Sequence, residues 1–435
     1  MRKHAFGALF TALVAALLIA LAPAVKAQEP GNETGREVAL TTQDQEYARL
    51  LQENYFRAGV NTCPYEYVPV KDTPVPKGYK PFYISHYGRH GSRSDWGDGY
   101  PMLVALFEKA AEAQILTNDG YRALEHLRYI VTQHNGMNGR LTLRGQREHR
   151  QIASRMYKNY KKVFRSRDRK VRAISSMTQR CIISMASFCG ELQRLDPSLQ
   201  VTMDTGEKIM LICSTGDPKE VQTAARELLK QHHDAYAPIV EEFFARLFTD
   251  TEKAREIVKD PVAFMDGFYY MSAISGAFDM DDFLLRLIPF EDLYRYCENR
   301  CMDLYLRQCN SLEFGDLRMP PVKALVDDVI DNADDAIRFG DVQVDLRFGH
   351  DWQLLAFCSW IGIEDIGNRW DHESCRPWQG FLYTPFAGNL QMVFYRNKHD
   401  NVLVKFYINE RETRLLNLEG GPYYDWEEVK KAWLK

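Results

Sequence analysis

The chain has 435 residues, 45% hydrophobic and 26% charged, an ordinary globular composition with ample apolar residues for a sizeable core. A formal net charge of −4 and a pI near 6.3 argue against a general nucleic-acid binder. They leave room for a local positive pocket that takes a small anion.

Arg2, Lys3 and His4 form a short positive start, followed by an apolar run from Ala5 to Ala22. Pro23 breaks the run, and Val25-Lys26-Ala27 offers small residues for cleavage, so residues 1–27 read as a signal peptide cut near Ala27. A retained membrane anchor is the alternative, because the run is near bilayer-spanning length. No later segment is apolar enough to span a membrane, so the mature chain is expected to be exported, periplasmic or secreted, without a transmembrane segment. The nine cysteines are compatible with disulfides in an exported chain, but their odd number leaves at least one unpaired or paired between chains. Cys297, Cys301 and Cys309 cluster without a CxxC pair or histidine partners, so a metal site is not expected.

Residues 28–80 read as an N-terminal extension holding a short helix near 43–56. Phe82–Tyr87 is aromatic and β-branched and predicts a strand ended by Gly88. A glycine-rich loop follows, then a helix over about 101–113. Thr142 is placed to cap a helix from Gly145 to Phe164, with Ile152, Met156, Tyr160 and Phe164 on one face. Lys170–Ser175 reads as a second strand. Ser176 and Gln179 have capping-box spacing before a helix that presents Met177, Cys181, Met185, Phe188 and Leu192 on one side. This strand–turn–helix unit is of the α/β kind, and residues 81–204 form the first part of an α/β core. Residues 205–338 show helical patterns and few strand signals, an inserted all-helical cap. The core resumes over 339–435. Val342, Val344, Leu346 and Phe348 alternate with polar residues, the clearest strand in the chain. It ends at Gly349-His350-Asp351, before a helix over 352–361. Residues 381–416 read as antiparallel hairpins, with Asp400-Asn401 in a turn.

Chemistry concentrates where strands end. Arg89-His90-Gly91-Ser92-Arg93 follows the first strand, at the position where α/β folds bind ligands. Guanidinium groups match phosphate oxygens in pairs, Gly91 permits close approach, and a neutral imidazole between two cations is set to attack phosphorus. A surface loop with an incidental histidine is the plainer reading. His350-Asp351 ends another strand and, in a parallel sheet, shares an edge with His90. Asp351 is the candidate acid for a leaving alkoxide, although a helix N-terminus lowers a carboxyl pKa and an HD pair is often only a cap. Arg180, in the first turn of its helix, points to the same edge or to solvent. The Arg- and Lys-rich stretch from Arg140 to Arg172 reads as an attractant for polyanions or, more plainly, a solvated helix face.

In this order the motifs resemble the histidine acid phosphatases, branch 2 of the histidine phosphatase superfamily. The resemblance rests on Arg89-His90-Gly91-Ser92-Arg93-Ser94-Asp95, on Leu141-Thr142-Leu143-Arg144-Gly145, on the stretch Ser175 to Arg180, and on His350-Asp351. It implies a central, mostly parallel sheet flanked by helices, with an all-helical cap. It also implies His90 as nucleophile, Arg89, Arg93, Arg180 and His350 as phosphoryl ligands, and Asp351 as proton donor. No cofactor or metal is implied, since arginines clamp the charge. Asp95 replaces the family's proline, and its carboxylate either repels highly anionic substrates or orders the loop. The expected partner is a small phosphorylated substrate, with inositol polyphosphates of the phytate kind favoured by similarity to bacterial multiple inositol polyphosphate phosphatases. A broad acid or sugar phosphatase is the alternative, and a phosphoglycerate-mutase-like enzyme or a silent binding protein of the same fold stands behind it.

Overall fold

The computed structural model describes residues 42–97, 99–166, 168–216, 218–234 and 238–434, so the leader reading for 1–27 lies outside it. Among the described residues, no helix is long and apolar enough to cross a membrane.

Eight strands form one sheet: β1 (Lys80–Arg89), β2 (Lys170–Ser175), β3 (Gln200–Thr205), β4 (Val344–Gly349), β5 (Asn389–Arg396), β6 (Val402–Ile408), β7 (Arg411–Thr413) and β8 (Tyr423–Asp425). The spatial order is β3-β2-β4-β1-β5-β6-β7, with β8 beside β6. The core strands β3, β2, β4 and β1 run parallel, and β5 to β8 extend the sheet in antiparallel pairs. This agrees with the α/β expectation and with the hairpins expected at the C-terminal end. The turn between β5 and β6 closes through Asn397 and Asn401.

Strand β1 runs on through Gly88 to Arg89, past the predicted end. Gly88 pairs with Phe348 and Asn389, and a Cβ there would lie 2.6 Å from the His86 ring. The glycine therefore serves packing within the strand rather than a turn. Alternate β1 residues enter different cores: Ile84 joins Val344, Leu346 and Phe348 on one face, while Tyr83 and Tyr87 join the larger cluster on the other. All of β4 is buried. Its polar positions lie in the interior because they are satisfied there: Tyr83 donates to Asp345 (2.7 Å), and Arg347 donates to Ser85 (2.9 Å) and Asp328 (2.6 Å).

The helices that matter to the site are α1 (Thr42–Glu53), α2 (Tyr100–Glu112), α3 (Asn118–His134), α4 (Leu143–Asn159), α5 (Gln179–Leu195), α6 (Glu207–Cys213), α7 (Lys219–Asp234), α8 (Pro261–Ile274), α9 (Phe290–Gln308), α10 (Lys323–Arg338) and α11 (Asp351–Ile361). Helices α4 and α5 pack on each other and on the Ile84 face. Between Thr205 and Val344 the described residues form helices and no strand, apart from the isolated bridge Leu116–Phe248. Helices α6 and α10 lie against the parallel strands, whereas α9 packs on α7 and on a 3₁₀ helix, Tyr55–Thr62.

Two local expectations are corrected. Helix α4 ends at Asn159, and Lys161–Phe164 is a separate turn. Helix α5 starts one residue after Thr178, which makes no side-chain cap, so no capping box forms. Ser176 instead hydrogen-bonds Thr178 and His350, and Met177 is half exposed ahead of the helix rather than on its buried face. The edge strand β3 carries no sequence signal, being mostly exposed and polar.

Candidate active site

Strands β1, β2 and β4 deliver their carboxyl ends to one edge, with Arg89 opposite Gly349 and Ser175 opposite Phe348. The loop after β1 is fastened there. His90 N donates to Gly349 O (2.9 Å). Gly91 N donates to Ser184 Oγ (3.1 Å), and the Ser92 amide and hydroxyl donate to the buried Glu148 (2.8 and 2.7 Å). Thr142 caps α4 through Gly145 N and also donates to Ser92 O (3.0 Å). The Leu141-to-Gly145 segment thus works as a backbone seat for the loop. A Cβ at Gly91 would stand 2.5 Å from Gly145 O, and one at Gly145 would stand 2.3 Å from Ser92 O.

His90 is 1% exposed. Its Nδ1–H donates to Gly91 O (2.9 Å), which leaves the lone pair on Nε2. Burial, then Arg89, Arg180, His350 and Arg93, holds its pKa well below the ordinary 6.5, so the ring is neutral. Arg89 donates to Asn61 O (2.6 Å) and Thr384 O (2.8 Å), lies over Phe386 and meets Asp351 at 3.2 Å. Burial lowers its pKa to about 10. Arg93 holds Ser94 O (2.9 Å). Arg180 lies over Trp96, and its pKa is lowered by burial. The Nε atoms of Arg89 and Arg180 are buried without a protein partner among the described residues, as donors awaiting an anion would be.

Asp351 opens helix α11. Burial pushes its carboxyl up, but Arg89, the Asn61 amide and His350 outweigh that and hold it at about 2. His350 is stacked on Trp352 at 4.0 Å, and its ring centre is 5.5 Å from that of His90. Its Nδ1 accepts from Arg180 (3.3 Å), while Nε2 faces the Ser176 and Thr178 hydroxyls (3.2 and 3.3 Å). Burial and Arg180 lower its pKa to about 3.

A cavity of about 380 Å³ opens over these groups, within the usual range for small-molecule sites. Arg89, His90, Arg93, Arg180 and Asp351 line it, and His350 is hydrogen-bonded to Arg180 at 3.3 Å. The structure therefore brings together all six residues singled out in the sequence. Sequence reasoning missed Asn61, Trp96, Gln222, Arg307 and Trp352, which also line the cavity. Trp96 and Trp352 adjoin flagged motifs and were within reach, whereas Asn61, Gln222 and Arg307 come from segments that carry no motif.

Asp95 accepts from Tyr100 (2.6 Å) and meets Arg93 at 3.4 Å, while its backbone O takes Gly139 N (2.9 Å). It orders the loop and partly neutralises Arg93. In the basic stretch, Arg144 and Arg147 pair with Asp279, Arg155 with Glu410 and Arg172 with Asp345, and no described residue of that stretch lines the cavity. All nine cysteines are buried as free thiols.

A neutral buried imidazole with a free lone pair, three arginines and one carboxyl on a strand edge is an arrangement able to accept a phosphoryl group from an ester. Residues 88–409 match the histidine phosphatase superfamily, branch 2. Among solved structures, the multiple inositol polyphosphate phosphatase of Bifidobacterium longum in complex with inositol hexasulfate superposes with a TM-score of 0.66 at 17% identity, covering 86% of this chain and 97% of that one. The phytase of D. castellii gives 0.65 at 13% identity, covering 88% and 85%. At such identities these two share the fold. No curated protein matches the chain in sequence. With its match spanning most of the sequence, the chain belongs to the histidine phosphatase superfamily, branch 2, and is a phosphatase.

Proposed function

We propose that this phosphatase hydrolyses phosphate monoesters through a phosphohistidine on His90. His90 Nε2 attacks phosphorus in line, the ester P–O bond breaks, and the leaving oxygen takes a proton from Asp351. Water then attacks the phosphohistidine, giving its proton to Asp351 and releasing inorganic phosphate. Arg89, Arg93 and Arg180, with His350 hydrogen-bonded to Arg180, hold the phosphoryl oxygens as charge builds. The observation that carries this reading is the His90 ring: neutral, fixed through Nδ1 and surrounded by three arginines.

Asp351 is ionised in the free enzyme, so the proton it delivers arrives with the substrate as the monoanion. Once that proton leaves the phosphate, the dianion beside Arg89 loosens that arginine's hold on the carboxyl and lets the proton settle there. Rapid quench with ³²P-labelled ester tests the intermediate: base-stable, acid-labile label on the wild type and none on His90→Ala is expected. Label retained by His90→Ala overturns the assignment.

For substrate we propose inositol polyphosphates, the class named for the Bifidobacterium longum neighbour. A second reading, a sugar-phosphate or broad acid phosphatase, is favoured by one feature of the cavity. Beyond the three arginines around His90, its lining among the described residues adds one arginine, Arg307, which is paired with Asp303. Relative kcat/KM on phytate, inositol monophosphate and sugar phosphates decides between them. Residues 1–27 are proposed as a cleaved export leader, tested by the N-terminal residue of the mature protein.

A further inference from the structure

We infer that Asn61 is a positioning residue for the proton donor: its side-chain amide, oriented by Arg300, holds and aims the Asp351 carboxylate. This rests on Asp351 being that donor.

The orientation of an Asn amide follows from its partners. Arg300, on α9, donates through Nε and a terminal nitrogen to Asn61 Oδ1 (3.0 and 2.7 Å). Arginine has no acceptor, so Oδ1 must face it and Nδ2 must face the other way. There Nδ2 donates to Asp351 Oδ2 at 2.7 Å. The backbone of the same residue serves the other half of the ion pair, since Asn61 O accepts from Arg89 (2.6 Å). One residue therefore contacts both Arg89 and Asp351, the two groups whose separation must change when phosphate arrives. Once Arg89 turns to the phosphoryl oxygens, the Asn61 amide on Oδ2 (2.7 Å), together with the Trp352 amide on Oδ1 (3.2 Å), keeps the carboxyl from rotating away.

The residue preceding Asn61, Val60, has φ 47 and ψ −100, a conformation rarely taken by a β-branched side chain. It is fully buried, and its neighbours are tied down: Tyr269 donates to Ala58 O (2.8 Å), and Thr62 donates to Gly59 O (2.8 Å). Backbone strain of this kind, held by surrounding hydrogen bonds, clusters beside functional sites. Asn61 also precedes residues 88–409, so a segment outside the family match completes the site.

The test compares kcat/KM, which ends at phosphohistidine formation and so leaves out the later attack of water, on glycerol 2-phosphate, whose alkoxide needs a proton to leave, and on 4-nitrophenyl phosphate, whose phenolate does not. Asn61→Ala is expected to lower the first by about tenfold or more, as a loss of acid aim should, and the second by about twofold or less. Arg300→Lys, which keeps the charge but not the paired donors, should show the same split more weakly. Asn61→Ala added to Asp351→Asn should cost nothing further on glycerol 2-phosphate, because the group being aimed is gone. A residue that only supported the fold would lower both esters alike and would add to Asp351→Asn, and either result overturns the inference. If Asp351→Asn itself lowers both esters equally, the donor assignment fails. If Asp351→Asn shows the split and neither Asn61→Ala nor Arg300→Lys does, the positioning role alone fails.

Discussion

Arg89 and Asp351 form an ion pair at 3.2 Å inside the site, with side chains 1% and 5% exposed. The proposed nucleophile's neighbour thus holds the proposed acid in its ionised form before substrate binds. An enzyme built this way cannot bring its own proton at neutral pH, and a pH–rate profile records that.

For kcat/KM the two limbs follow from the two shifted groups. His90 acts as the neutral ring, and its pKa lies well below 6.5, so no acid limb should appear through the range, about pH 5 to 6.5, where an ordinary histidine protonates. Asp351 sits at about 2, so the alkaline limb reflects the ester's own second ionisation, near pH 6, and falls about tenfold per unit above it. Two esters whose second ionisations differ should show limbs displaced by that difference. A limb fixed at one pH for both esters would mean that an enzyme group controls it.

The same burial that keeps histidines neutral makes the fold acid-sensitive. His86, His149 and His350 are buried, and each pKa is lowered to about 3, by burial first. An unfolded chain takes up their protons near pH 6.5 while the folded chain refuses them. Their contribution is therefore present above about 6.5 and is lost as pH falls toward 3, by about 1.4 kcal/mol per unit for each ring. Tm measured from pH 7 to 4 should drop steeply. His149→Phe, placing a ring beside Phe188 and Phe348, should flatten the slope. An unchanged slope in that variant would remove His149 from the account.

The parts legible in the sequence were those whose signal is local. β2 matched its predicted bounds and Thr142 caps α4, because β-branched runs and caps act through near neighbours. His90 and Asp351 stood out as candidates because strand ends and charged loops announce chemistry. The polar face of β4 was read correctly as alternation, but nothing local shows that Asp345 and Arg347 find partners on β1, β2 and α10. Asn61 was invisible for the same reason: its meaning lies in Arg300 and Asp351, more than two hundred residues away. Ser176 looked like a cap and serves His350 instead, a choice made by tertiary contact rather than spacing.

The Gly91–Gly145 contact is predicted to tolerate no side chain. Gly145→Ala would drive a Cβ to 2.3 Å from Ser92 O and 2.8 Å from Ser92 N, both backbone atoms that cannot step aside cheaply. Overpacking of this kind costs about 1–3 kcal/mol. Because the displaced backbone carries His90, kcat should fall by about 100-fold as well. Thermal unfolding and kcat on 4-nitrophenyl phosphate measure the two effects, and a variant with wild-type kcat would show that the loop does not depend on this seat.

Asp95→Asn tests what the missing loop proline has been exchanged for. The Asp95 carboxylate does two things: it accepts from Tyr100 at 2.6 Å and stands 3.4 Å from Arg93. Asparagine keeps an oxygen for Tyr100 and removes the charge, so the loop should stay ordered and Tm should change little. Arg93 then faces the cavity without a competing anion. The Asp95 side chain is 28% exposed, so screening limits the gain to that of a partly exposed pair, roughly 1 kcal/mol. Inorganic phosphate, as a competitive inhibitor, should bind about fivefold tighter in the variant, with a larger effect at low salt. KM should fall more for polyphosphorylated than for monophosphorylated substrates, since each added phosphate near the loop feels the removed charge. Because tighter phosphate slows product release, kcat should drop modestly while kcat/KM rises. Weaker phosphate binding, with a lowered Tm, would instead mean that the Asp95 charge is needed to hold Arg93 in place.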